Sequence, residues 1–141
     1  MKILLVLLGG LPFAVGGALN YMILSSSDAL PPLFLIGIGW LALWGTIAFL
    51  IKLFKEDEKE IVIWLNLVAA VVLALVALQE LILHAYWSNF VGVWSQFYYL
   101  PLLNLGFTLT SWSSSVFPAY VVSFGLMVAA TVAGCRMRGK K

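Results

Sequence analysis

Eight Lys and Arg and six Asp and Glu are all the charge in this 141-residue chain, and they cut it into long apolar runs. Lys2 precedes the first run. Lys52, Lys55 and Lys59 lie between the second and third, and Arg136, Arg138, Lys140 and Lys141 follow the last. A chain that crosses a bilayer four times gathers those three groups on one side, and loops that keep Lys and Arg are cytoplasmic. The pattern predicts an all-α integral membrane protein, a four-transmembrane-helix bundle in a plasma or inner membrane, with both termini cytoplasmic.

A soluble domain is about half apolar. Here the hydrophobic fraction is 63% and the mean hydropathy +1.06, as expected where the solvent is hydrocarbon and exposed apolar side chains cost nothing. A spanning helix needs about 20 apolar residues. That length assigns spans to about 3–24, 33–53, 61–83 and 116–135, within one transmembrane domain covering 1–141. The start has the basic and apolar regions of a signal peptide, but the apolar run continues to Leu24, so the first span is expected to stay in place.

Between the first two spans, Ser25-Ser26-Ser27-Asp28 reads as a polar turn, and Pro31-Pro32 delays the next helix to about Leu33. The charged segment from Lys55 to Glu60 is too short for anything but a hairpin turn. Its acids precede the third helix, where the N-terminal dipole favours them.

Composition also excludes. The net charge of +2 comes from the cytoplasmic clusters, which face anionic lipid and not nucleic acid. The lone Cys135 rules out an internal disulfide or a CxxC pair, and the lone His84 rules out bis-histidine haem ligation. No HExxH, GxSxG or Walker loop is present. The chain is therefore expected to be no enzyme, with no cofactor and no metal.

The segment 84–115 admits two readings. Residues 86–107 carry no charge and are long enough for a fifth span, but that would put the basic tail outside. The alternative is an outer aromatic segment between the third and fourth spans. Trp87, Phe90, Val91, Trp94 and Tyr98 recur at helical spacing, opposite Ser88, Asn89, Gly92, Ser95 and Gln96, the pattern of an amphipathic helix lying in the interface. Pro101 is expected to end it. Beyond, Leu103, Leu105, Phe107 and Leu109 alternate with Asn104, Gly106, Thr108 and Thr110, which reads as a short extended arm, covered by protein or wet.

Two groups of residues are candidates for function. Glu80 is the one acid inside an apolar run, and His84 follows at i+4, a spacing that allows a shared proton or a bound cation. With Gln79, Asn20 and Asp28 they form a candidate ion or proton site near the outer boundary, or else ordinary polar groups close to water. The second group is small residues at intervals of four: Gly125, Ala129 and Ala133 in the last span, and Gly10, Ala14 and Ala18 in the first. Such stripes let helices approach closely in lipid, within one bundle or between chains. Trp40 and Trp44 fall mid-span, as core filling or a contact face. Cys135 beside Arg136 is a palmitoylation position or a small buried residue.

These features favour a small non-enzymatic membrane protein acting through helix packing, an accessory or assembly subunit of a larger membrane complex. Its expected partners are the bilayer and other membrane chains or further copies of itself. The competing expectation is a small oligomeric transporter or channel using Glu80 and His84. A weaker third is a membrane enzyme acting on lipid or quinone at the aromatic surface.

Overall fold

A backbone placed among apolar side chains must satisfy its own N–H and C=O groups, and the helix does so within one segment. A computed structural model, describing residues 1–25, 30–54 and 57–137, is helical throughout and has no strand among the described residues. The helices are α1 (Lys2–Gly9), α2 (Leu11–Ser25), α3 (Leu33–Leu53), α4 (Glu58–Leu65), α5 (Leu67–Ala77), α6 (Phe90–Tyr98), α7 (Leu100–Leu109) and α8 (Phe117–Arg136), with a π turn at Leu78–Ile82 after α5. Three stretches are long and apolar enough to cross a membrane: Lys2–Ser25, Leu33–Leu53 and Phe117–Arg136. Glu58–Leu65 and Leu67–Ile82, bent by 41°, would together make a fourth.

Lys2 and Arg136 meet acids at one end. Lys2 Nζ lies 3.2 Å from Glu60 Oε1, and Arg136 Nε lies 3.2 Å from Glu58 Oε1. The start of α1, the start of α4 and the end of α8 therefore share one end of the molecule.

Two of the long helices are broken, each for a local reason. Pro12, in the first turn of α2, has no N–H to give. Phe13 N turns to Gly10 O at 3.1 Å, and Gly9 O is left without its helical donor. In the second case the side chain of Asn66 competes with the backbone, as Asn does inside helices. Its Nδ2 donates to Val62 O at 3.0 Å, and the helix bends there between α4 and α5.

The segment after the π turn corrects two expectations. No extended arm is present: residues 100–109 form α7. Pro101 starts this helix rather than ending the previous one, because proline is tolerated in a first turn, where its missing N–H is not needed. The alternation of leucines misled because Leu105 also stands on a helical face. Pro101, Leu102, Leu105 and Gly106 are the buried residues of α7. The predicted aromatic stripe of α6 is split as well. Phe90 is 76% exposed and Trp94 half-buried, but Tyr98 is 1% exposed. Gly92 and Ser95, expected on the outward polar side, are buried. They can be, because glycine allows close approach and the serine hydroxyl finds partners inside.

Together α6 and α7 form a V with its apex at Tyr98–Tyr99. The arm α6 packs on α2 and α5, while α7 packs on α3, α8 and α2. Glycines set the spacing. Gly16 lies directly against the carbonyl of Phe97, Gly37 against Leu105 and Pro101 O, and Gly106 against Ala119 O. Trp87 bonds to Gln79 at the head of one arm, and Ser115, just beyond the other, bonds to Glu80. Both ends of the V thus lie at the π-turn end, away from Lys2 and Arg136.

Candidate functional site

The side chains of Gln79, Glu80, Tyr86, Ser95 and Ser115 organise the π-turn end. The π turn carries i→i+5 bonding, with Leu83 N on Leu78 O at 3.0 Å. This register turns adjacent Gln79 and Glu80 to different tasks. Gln79 is fully buried. Its Nε2 donates to Ser95 Oγ at 3.0 Å and Leu75 O at 3.3 Å, and its Oε1 accepts from Trp87 N at 3.0 Å. One amide thus ties α5 to α6 and to the chain entering it.

Glu80 faces the other way, toward the start of α8. Its Oε1 accepts from Ser115 Oγ and, at 3.2 Å, from Phe117 N, while Oε2 accepts from Tyr86 Oη. Phe117 N belongs to the first turn of a 20-residue helix, where donors have no helical acceptor and the dipole favours a negative charge. Glu80 is therefore a cap delivered from 37 residues upstream. Burial, then the hydrogen bond to the Glu80 carboxylate, pushes the Tyr86 hydroxyl well above the usual tyrosine range, which keeps it a proton donor.

Of the five residues of the expected ion site, the structure brings together Gln79 and Glu80 as neighbours with separate partners. His84 is exposed, at φ 49°, and is not among the partners of the carboxylate. The i+4 argument assumed an α-helix through position 84. The π turn ends that helix, and the left-handed backbone at His84 turns the chain away. Asn20 is half-buried on α2 and shares no hydrogen bond with this cluster. Asp28 lies outside the described residues.

A second polar cluster, which the sequence reading passed over, lies in the core. Asn66 Nδ2 donates to Thr131 Oγ1 at 3.0 Å, and Asn66 Oδ1 accepts from Trp44 Nε1 at 3.4 Å. The apex of the V reaches both broken helices: Tyr98 Oη donates at 2.7 Å to Gly9 O, the carbonyl left without its helical donor, and Tyr99 Oη donates at 2.6 Å to Ala69 O within α5. A lone Asn in a run of Ile, Val and Leu, and a Tyr-Tyr pair before a proline, were the available signals. Trp44 is fully buried and stacks at 5.5 Å on Trp40, which settles both as core. Cys135 is buried too.

The predicted packing stripes face outward. Gly125, Ala129 and Ala133 are exposed on α8, and nothing of the described chain lies within 4 Å of a Cβ placed on Gly125. Ala14 and Ala18 are exposed on α2, and Gly10 is half-buried at the break. The glycines that seat the chain's own helices are others: Gly9, Gly16, Gly37, Gly106 and Gly134.

Replacing Glu80 tests the cap. Glu80→Ala removes the acceptor of Ser115 and Tyr86 and leaves Phe117 N with Ser115 Oγ alone, at 3.3 Å, and is expected to cost about 1.5–3 kcal/mol, the range for hydrogen bonds to a charged group. Glu80→Gln keeps one acceptor oxygen and is expected to cost about 1 kcal/mol. Thermal unfolding in detergent micelles should rank wild type above Gln above Ala. Equal stability of all three would show that the cap holds nothing.

Comparison with protein-family models, with curated proteins and with solved structures returned no match.

Proposed function

We propose that this chain is a non-enzymatic integral membrane protein that acts by helix packing, as an accessory or assembly subunit of a larger membrane complex. One observation carries the reading. The small residues at intervals of four on α8 and α2 are spare: other glycines pack the chain's own helices, and these face out. In lipid, close backbone approach through small residues is a principal source of helix association. The occupation of both Glu80 oxygens by hydrogen-bond donors of the chain supports a structural carboxylate over a transporting one.

In the proposed arrangement α1–α2, α3, α4–α5 with the π turn, and α8 are four spans of a cell membrane. Both termini and the loop around Lys55 are cytoplasmic, and Trp112 is external. The meeting of Lys2, Glu58, Glu60 and Arg136 at one end supports it, since the positive clusters then share a side. The V becomes a re-entrant element. Lys2 to Gly9 is a rise of about 10 Å and Ile61 to Ala69 about 12 Å. An apex bound to Gly9 and Ala69 then passes the middle of a core roughly 30 Å thick, where protein covers its backbone.

Topology is checked by cysteines introduced at Asp28, Trp112 and Lys141 in a Cys135→Ser background. An impermeant thiol reagent added to intact cells is expected to label the first two and spare the third. Labelling at Lys141 overturns the four-span arrangement.

Assembly is checked on the outward face of α8. Gly125→Leu and Ala129→Leu are expected to abolish co-purification of associated membrane chains while leaving the chain itself folded. A second reading, a small oligomeric transporter or channel using Glu80 and His84, draws on the broken helices, since discontinuous helices build many transport sites. Under it Glu80→Gln stops proton-dependent flux in liposomes. If Glu80→Gln alone abolishes activity and Gly125→Leu leaves every association intact, the subunit reading gives way to the transporter.

A further inference from the structure

We infer that α1 and α4 form a paired flap, hinged where the two broken helices break, whose opening uncovers Cys135 and the Asn66–Thr131–Trp44 cluster from the Lys2 and Arg136 end. The two breaks lie side by side. Gly9 ends α1 and Leu65 ends α4, and a Cβ placed on Gly9 would lie 2.7 Å from Leu65 O. At the far end of the same pair, Lys2 Nζ lies 3.2 Å from Glu60 Oε1 and 5.4 Å from the centre of the Trp64 ring. The helix α1 is therefore joined to α4 at both ends. Its other main neighbours are α2 and α5, which begin at the breaks.

Both breaks have the character of hinges, a few residues at element ends that absorb a backbone rotation. Pro12 has no N–H and Phe13 N has turned to Gly10 O, so neither supplies its α-helical bond across the first break. Gly10, at its centre, carries no Cβ to resist rotation. At the second break Asn66 has φ −99° and ψ 5°, away from the helical values of about −63° and −42°. The helix axis bends there by 41°.

Two bonds to α8 hold the flap shut. Glu58, at the tip of α4, accepts from Arg136 Nε at 3.2 Å, and Asn66, at its base, donates to Thr131 Oγ1 at 3.0 Å. Thr131 and Cys135 are four residues apart and both buried, on one face of α8. Cys135, 1% exposed, thus sits between the two bonds, under α4. Met127 and Ser123 continue the same buried face beyond the hinge, where α5 replaces α4 against α8. The fixed side is α3 with α8, whose backbones meet at Gly45 O and Gly134. Four residues separate α3 from α4, and at up to about 3.3–3.6 Å each they let the tip of α4 swing without drawing α3 along. This inference rests on neither the assembly reading nor the transport reading.

The test is the reactivity of buried thiols toward N-ethylmaleimide in the full chain, in dodecyl maltoside well below its unfolding temperature. Each rate is taken relative to the same cysteine in the chain unfolded in sodium dodecyl sulfate with urea. Native Cys135 is compared with Met127→Cys in a Cys135→Ser background, a thiol buried on the same face but past the hinge. Ser123→Cys takes its place should Met127→Cys fail to fold. Cys135 is expected to react at least about tenfold faster, because a local opening requires less than global unfolding. Equal rates, or a slower one at Cys135, mean that no flap opens and overturn the inference. Thr131→Val removes the bond at the base in a side chain of nearly the same shape. It is expected to speed Cys135 roughly three- to tenfold and to leave the thiol at 127 unchanged. Glu58→Gln, which loosens the tip, is the second variant should Thr131→Val fail to fold. Equal acceleration at both thiols would show general destabilisation in place of a hinge. Hydrogen exchange separates the flap from fraying of α8: amides 132–136 are expected to stay protected while Cys135 labels. Exchange there as fast as the labelling overturns the flap in favour of a frayed helix end.

Discussion

Gly16→Ala and Gly134→Ala are expected to unfold in detergent micelles at a much lower temperature than the wild type, while Gly125→Ala melts with it. The three positions look alike in sequence: each is a glycine in a long apolar helix. In the fold a methyl group on Gly16 would be driven into Phe97 O, and one on Gly134 into Gly45 O, closer than any real Cβ contact. A flexible side chain at those distances would move aside, but these neighbours are backbone. Either the helices separate or the peptide rotates away from its own hydrogen bonds. Overpacking of this kind costs about 1–3 kcal/mol, and a rigid neighbour puts both variants at the upper end. Gly125 has open space around it, so a methyl group there gains the small helix propensity of alanine and meets nothing. Thermal unfolding of the three variants decides the matter. A large loss at Gly125 in the isolated chain would mean that its face is already covered.

This contrast also measures what the sequence could disclose. Charge placement disclosed the helical class, because a run of about 20 apolar residues has few alternatives to a helix. It did not disclose where helices break. Pro12 beside Gly10, and Asn66 inside a run of Ile, Val and Leu, are both tolerable in a continuous helix, and only tertiary partners decide otherwise. Periodicity failed at α6 for a related reason. It ranks faces by hydrophobicity, but inside this bundle small size and hydrogen bonding decide, so Gly92 and Ser95 went in while Phe90 stayed out. Glu80 stands out in the sequence as the one acid inside an apolar run. Its partners could not be foreseen, since Ser115 and Phe117 are 35 and 37 residues away. The small-residue stripes were visible, yet which of two adjacent stripes packs at home depends on helix rotation.

Replacing Tyr98 and Tyr99 by phenylalanine is expected to loosen the apex of the V more than any change to its exposed aromatics. Each hydroxyl serves a carbonyl at or beside a helix break: Gly9 O, whose helical donor has turned to Gly10 O, and Ala69 O, three residues past Asn66. Both side chains are buried, at 1% and 0% exposure, so water cannot replace them. Hydrogen bonds between membrane helices average about 0.6 kcal/mol and reach about 1.7; Gly9 O would in addition be orphaned, at about 1–3 kcal/mol, whereas Ala69 O keeps its place inside α5. These bounds place Tyr98→Phe at about 1–2 kcal/mol and Tyr99→Phe lower, at about 0.6 kcal/mol. The two rings also touch, with centroids 5.0 Å apart in an edge-to-face pair. That contact survives the change to phenylalanine, so the double variant reports the two hydroxyls and little else. Tyr21→Phe, at a position 73% exposed, is the control and is expected to change stability by less than about 0.5 kcal/mol. Hydrogen exchange supplies the second readout. If the tyrosines anchor the V, amides 90–109 lose protection in the double variant before those of α3 and α8. Unchanged protection there, with unchanged unfolding, would mean that glycine-mediated packing alone holds the V in place.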